Sequence, residues 1–63
     1  MIKQVLDNLE DKDRNVLLYA LEHGFSKQIV LPNNKFVGVN VHLAHGQRTI
    51  EKVGDWTYGE ERR

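Results

Sequence analysis

The sequence predicts a small α+β domain in which two N-terminal helices pack on a three-stranded antiparallel β-meander. Three observations lead to this class: a length of 63 residues, helical spacing of the apolar residues in the first third, and apolar residues at every second position further on. A chain of this length holds one domain at most, and such a domain buries only about 60% of its unfolded surface. We assign residues 1–58 to the domain and residues 59–63 to a flexible tail.

The first 23 residues predict two helices. Two apolar stripes have helical spacing, namely Ile2, Val5, Leu6 and Leu9, and then Val16, Leu17, Ala20 and Leu21. Polar residues 10–15 separate the stripes, and Asp11 or Asp13 is a suitable N-cap for a second helix. One continuous helix stays open as an alternative, because Leu9 and Val16 are a heptad apart. Gly24 should end the helical part, with Phe25 packing back near Ala20.

The apolar period changes to two after Gly24, which predicts strands. Residues 28–31 form a short apolar strand, residues 37–43 alternate valine or leucine with glycine or polar residues, and residues 48–53 form a third strand. Residues 56–58 leave room for a short fourth strand. Neighbouring strands joined by short connections favour a meander in which each strand pairs with the next.

The loop at His45-Gly46 sets the register of the second and third predicted strands. A two-residue loop there places Val41 opposite Ile50, as a buried face requires. A three-residue loop would set Val41 against Glu51, so we favour the shorter loop.

The loop near Pro32 decides which way the first strand faces. A two-residue Asn33-Asn34 loop, which we favour slightly, places four apolar side chains on the sheet face away from the helices: Ile29, Leu31, Phe36 and Val53. A three-residue loop would instead turn Ile29 and Leu31 toward the helices. Four large apolar residues on an uncovered face indicate a protein interface, and an edge strand at residues 28–31 could also accept a partner's strand.

A second hypothesis is nucleic-acid binding through a basic hairpin. The residues that would contact phosphates are Lys35, His45, Arg48 and Lys52. Nine basic and nine acidic side chains cancel, however, which argues against a strongly electrostatic binder. We therefore rank this hypothesis second.

Enzyme and metal chemistry have little support in the sequence. His42 and His45 fall on a predicted strand and its turn, where they do not share a face with Glu51 or Asp55 as zinc ligands must. The glycines are scattered and form no phosphate-binding loop, and the single serine, Ser26, has no evident base. We expect no catalytic residues, no metal, no cofactor and no small-molecule substrate.

The sequence favours a non-catalytic protein-binding module that self-associates as a homo-oligomer. Its size is typical of accessory proteins of bacteria and phages that regulate or inhibit a larger macromolecule, which is an argument by analogy alone. The chain contains no cysteine, and it has neither a signal-peptide core nor an apolar run of the roughly 20 residues that cross a bilayer. We expect a cytoplasmic protein that does not contact membranes.

Overall fold

The computed structural model describes residues 1–61, and over these residues the chain forms two helices followed by four strands. The elements are α1 (Ile2–Asn8), α2 (Asp11–His23), β1 (Lys27–Leu31), β2 (Lys35–Val39), β3 (Gln47–Val53) and β4 (Trp56–Glu61). The paired strands are antiparallel, and residues of both helices pack against Val37 and Val39 on one face of the sheet. The predicted α+β class is confirmed, and the fourth strand is six residues long.

The break between the two helices is confirmed. Its details differ from the prediction, because the N-cap of α2 is Glu10, whose side chain makes no capping hydrogen bond. Asp11 and Asp13 lie in the first turn of α2, where a negative charge is favourable near the positive helix end. The prediction that one of these two aspartates is the N-cap is wrong.

The C-terminal end of α2 follows the prediction. Gly24 has φ +76°, in the left-handed region that ends helices. The Phe25 N–H donates to the Ala20 carbonyl over 2.8 Å, which turns the chain back toward the sheet. The chain therefore enters β1 at Lys27.

The strands lie in the order β1-β2-β4-β3, so β4 lies between β2 and β3. The predicted pairing of Val41 with Ile50 is wrong, because β2 ends at Val39 and residues 40–46 belong to no strand. Val39 pairs with Trp56 and Val37 with Tyr58, and both aromatic side chains pack against the core. Both side chains are half-buried there and remove a large apolar area from water.

The two-residue hairpin lies at Gly54-Asp55 instead of His45-Gly46. Val53 pairs with Trp56 across it, and Gly54 has φ +59°, as a turn with glycine in its first central position requires. Residues 44–47 still form a turn, since the Gln47 N–H donates to the Ala44 carbonyl over 3.0 Å. The sequence thus predicted the turn correctly and the strand pairing around it wrongly.

Residues 40–46 cross over β4. β2 and β3 run parallel because both are antiparallel to β4, so the chain between them must pass over one face of the sheet. The face is the one opposite the helices, since a Cβ atom at Gly38 would lie 3.0 Å from Val41 Cγ1. Phe36 and Thr57 share this face with Gly38 and are only 0% and 2% exposed. The chain itself therefore covers part of this face.

The loop between β1 and β2 has three residues, Pro32–Asn34, because Leu31 pairs with Lys35. The favoured two-residue loop is wrong and the alternative is right. Asn33 and Asn34 have φ +63° and +59°, a conformation that asparagine tolerates better than most residues. This loop turns Ile29 and Leu31 toward the helices, where they pack against the core.

Residues 59–61 belong to β4, so the prediction of a flexible tail is wrong for them. Gly59 is buried, and a Cβ atom there would lie 2.6 Å from Phe36 Cζ. The Glu61 N–H donates to the Asn34 carbonyl over 2.6 Å. Residues 62 and 63 of the predicted tail lie outside the described residues.

Candidate protein-binding surface

The four residues predicted as an interface do not form one exposed patch. Phe36 is fully buried under the crossing segment, and Ile29 and Leu31 are half-buried against the helices. Val53 is 58% exposed, but it lies at the end of β3 and pairs with Trp56 of the helix-covered face. The prediction that these residues form an exposed patch is wrong. The three-residue loop turns the side chains of Ile29 and Leu31 toward the helices, and Phe36 is covered by the chain itself.

The sheet has two edges, β1 and β3, and β3 is protected against strand addition. It carries the charged residues Arg48, Glu51 and Lys52. Its register with β4 shifts between Thr49 and Glu51, which leaves one extra residue as a bulge. Charged side chains and bulges are the features by which natural edge strands avoid pairing with other chains.

β1 lacks this protection along most of its length. Its five residues pair with β2 in unbroken register, and residues 28–31 are uncharged. Alternate backbone N–H and C=O groups of an edge strand point away from the sheet, where they can bond another strand. The prediction of an edge strand at residues 28–31 is confirmed in position, and only Lys27 and the following Pro32 limit it.

The orientation of α2 brings one of its sides above the β1 edge. α2 packs over β1 and β2, whereas α1 packs over β3 and β4. Arg14 lies on the side that faces α1, because its guanidinium donates to the Leu6 and Leu9 carbonyls over 3.1 Å each. Val16 is about 200° from Arg14 around the helix, so its side faces away from α1 and toward the β1 edge.

That side of α2 is apolar and exposed. Together with Phe25, which follows the helix, we call it the outer stripe and define it as Val16, Tyr19, His23 and Phe25. Tyr19 is 58% exposed and Phe25 55% exposed. The rings of Tyr19 and His23 have centroids 4.2 Å apart, and each lies 6.2 Å from the centroid of Phe25. The three rings form an aromatic cluster just before β1 in the chain.

Val30 adds an apolar side chain on the other face of β1. It pairs with Phe36, so it lies on the face opposite the helices, and it is 65% exposed. The β1 edge is therefore flanked by apolar groups on both faces of the sheet, by the outer stripe on one and by Val30 on the other. We call the β1 edge, the outer stripe and Val30 together the β1 surface.

The sequence predicts the edge strand of this surface but not its side chains. Val30 escapes prediction because a loop one residue longer reverses the facing of β1. The helical spacing groups Val16 with Leu17 in the core, although Leu17 is 0% exposed and Val16 is 42% exposed. A signal is present, since Val16 and Tyr19 are spaced i, i+3 and widen the apolar arc beyond what one core-facing side needs.

The four residues of the nucleic-acid hypothesis are not gathered into one basic face. Arg48 pairs with Glu60 over 2.7 Å. Lys35 Nζ lies 5.7 Å from the centroid of the Tyr58 ring, on the helix-covered face. Lys52 pairs with Thr57 on the opposite face, and His45 lies in the turn of the crossing segment.

His42 and His45 are both exposed in the crossing segment. Within residues 1–61, no three or more histidine, aspartate or glutamate side chains are grouped so that they could hold a metal ion. Neither of the helices described is long and apolar enough to cross a membrane.

Comparisons of the chain with family models, with curated proteins and with solved structures give no match. Its function is therefore inferred from the geometry of the β1 surface.

Proposed function

We propose that this chain is a non-catalytic protein-binding module that pairs with a second copy of itself through β1. The observation that carries the proposal is the unprotected β1 edge with exposed apolar groups on both of its faces. A peptide segment that adds to a sheet edge gains affinity from the backbone ladder and specificity from the side chains beside it. The β1 surface offers both.

The sequence of β1 is compatible with antiparallel pairing to itself. A two-fold axis through Ile29 sets Ile29 opposite Ile29 of the second copy, Gln28 opposite Val30, and Lys27 opposite Leu31. No like charges are directly opposed in this register, and the half-buried Ile29 and Leu31 of both copies share the helix-covered face. The two sheets then form one continuous eight-stranded sheet.

The outer stripe supports the same arrangement. Because the axis is perpendicular to the sheet, the two α2 helices lie on the same side of it, and the sides that carry Val16 and His23 are turned toward each other. Burial of a large apolar side chain contributes about 1.5–3 kcal/mol. A cysteine-free chain of 63 residues has a small core of its own, so this contribution is large relative to its stability.

The test compares two valines on the two edges. Val30 and Val53 are similarly exposed, at 65% and 58%, so lysine at either position should leave the fold intact. Val30→Lys sets a lysine opposite Gln28 and diagonal to the same lysine of the second copy, so two like charges lie close on one face, and we expect it to weaken dimerisation at least roughly tenfold. Val53→Lys is the matched control and should dimerise as the wild type does. Sedimentation equilibrium from ~10 µM to ~1 mM measures both constants.

The proposal fails if the wild-type chain stays monomeric over that range. It also fails if Val53→Lys weakens the dimer as much as Val30→Lys does, because the interface would then not be β1. Thermal unfolding of the three proteins at a concentration where all are monomeric checks that neither lysine disturbs the monomer.

A further inference from the structure

A cavity lies between the C-terminal end of α1 and the loop that joins β1 to β2. Its volume is about 400 Å³, within the range of roughly 300–1,000 Å³ usual for small-ligand sites. Its apolar lining comes from Val5 of α1, from Leu9 just after it, and from Leu31 and Pro32. These side chains make the open cavity partly apolar, and none of them belongs to the outer stripe or is Val30.

One cation lines this apolar cavity. Lys35 and Tyr58 lie side by side in it, with Lys35 Nζ 5.7 Å from the centroid of the Tyr58 ring. Glu60 is the cross-strand neighbour of Lys35, but its carboxylate pairs with Arg48 over 2.7 Å. No carboxylate of residues 1–61 forms an ion pair with Lys35. Among residues 1–61, the Lys35 ammonium group is therefore open to an anion in the cavity.

We propose that this cavity binds a small molecule with an apolar body and a single carboxylate. The apolar body would contact the walls formed by α1 and by the loop after β1, and the carboxylate would accept a hydrogen bond from Lys35 Nζ. The side-chain amides of Asn8 and Asn33 also line the cavity and can donate to the second carboxylate oxygen. This site shares Leu31 with the β1 edge, but binding there does not require the dimer proposed above.

The groups that line the cavity favour a carboxylate over a phosphate. Phosphate sites usually combine several cationic or backbone N–H donors, often at a helix N-terminus. This cavity has one lysine, and the helix end beside it is the C-terminus of α1, where carbonyl groups predominate. A monoanion with a large apolar part matches one cation in an apolar cavity.

The experiment titrates ¹⁵N-labelled protein with octanoate and with octanamide, which has the same chain and no charge. We expect octanoate to shift amide signals of residues 5–9 and 31–35, and to bind roughly tenfold more tightly than octanamide. Lys35→Gln should remove the preference for octanoate, whereas Lys35→Arg should keep it. Lys52→Gln is the matched control, because Lys52 lies on the opposite face and should not affect binding.

The proposal is overturned if octanoate shifts no signals around the cavity, or if its shifts map to the outer stripe. It is also overturned if octanoate and octanamide bind the wild type equally well, a comparison that needs no variant. Undiminished preference for octanoate in a folded Lys35→Gln protein would exclude Lys35 as the anion-binding group.

Discussion

The two edges of the sheet differ in how their side chains are used. Those of β3 bind other parts of the chain: the Glu51 carboxylate accepts the Ile2 N–H over 2.7 Å, and Arg48 bonds Glu60. Gln47 donates to Glu61 over 3.4 Å and accepts from the Ala44 N–H. The side chains that protect β3 from other strands thus also tie it to α1, to β4 and to the crossing segment.

β1 is held by its backbone ladder to β2 and by two side chains in the core. Ile29 and Leu31 point toward the helices, whereas Val30 is exposed and no described side-chain hydrogen bond involves residues of β1. The outward side of β1 is therefore not needed for the fold of one chain. This difference teaches that the same sheet protects one edge through intramolecular contacts and leaves the other edge open.

The edges are the main exposed apolar surfaces only if the crossing segment covers the sheet face opposite the helices. Substitutions at Phe36 test this coverage and have the largest expected effect. Phe36→Ala should destabilise the chain by about 3–5 kcal/mol, because the ring is fully buried and packs against Gly59. Such a loss is comparable to the whole stability of a small domain, so Phe36→Leu, at about 1.5 kcal/mol, provides a measurable folded variant. Urea unfolding followed by the fluorescence of Trp56 measures both.

Val30→Ala is the control for this prediction, since Val30 lies beside Phe36 in the ladder but is 65% exposed. Its effect on a monomeric chain should stay within about 0.5 kcal/mol. If Phe36→Leu were as harmless as Val30→Ala, the crossing segment would not cover this face, and the edges would not be the main exposed apolar surfaces.

Phe36 also shows where prediction from the sequence stops. The helices, their break and the Gly24 terminus follow from spacing and local chemistry within a few residues, and these predictions are confirmed. The partner of β2 is a non-local choice, because residues 48–53 and residues 56–58 are both suitable strand segments in the sequence. Local pattern does not say which of two suitable segments will pair, so the order β1-β2-β4-β3 could not be read from it.

The side chains of the candidate surface escape prediction for a simpler reason. A loop of two or three residues at Pro32–Asn34 has the same turn chemistry in the sequence, yet one residue reverses every side chain of β1. The shorter loop therefore places Ile29 and Leu31 outside and Val30 inside. The position of β1 at an edge does not depend on this register, which is why the edge itself is predicted correctly.

A substitution at Gly59 tests how β3 is held to β4, and its expected effect on stability is intermediate. A Cβ atom there would meet the Arg48 carbonyl oxygen of β3 and would lie 2.6 Å from Phe36 Cζ. Gly59→Ala should therefore cost about 2–3 kcal/mol and separate β3 from β4. Hydrogen exchange of the β3 amides should accelerate more than that of β1, which pairs with β2 away from Gly59.

Gly54→Ala is the matched control in the same hairpin. Gly54 has φ +59°, and a Cβ atom added there would have no atom within 4 Å, so alanine adds only conformational strain of about 1 kcal/mol. Gly59 does not have a positive φ, so equal losses for the two variants would mean that the sheet can accommodate a Cβ atom beside Arg48 and Phe36.

Glu51 gives the smallest expected effect and tests whether the charges of β3 serve the fold. Its carboxylate accepts the Ile2 N–H at the start of α1, so Glu51→Ala removes the only acceptor described for that group. We expect a loss of about 1 kcal/mol in the free energy of unfolding, and about half of that for Glu51→Gln, which keeps a neutral oxygen acceptor. Urea unfolding measures both variants.

Lys52→Ala is the control for Glu51, because Lys52 is the next residue of the same edge and is exposed on the opposite face. Its effect should stay within about 0.5 kcal/mol. A loss for Glu51→Ala no larger than for Lys52→Ala would mean that the β3 charges act only against other chains. In that case β3 would gain no stability from its contact with α1. The two edges would then differ only in how well they resist pairing with a strand of another chain.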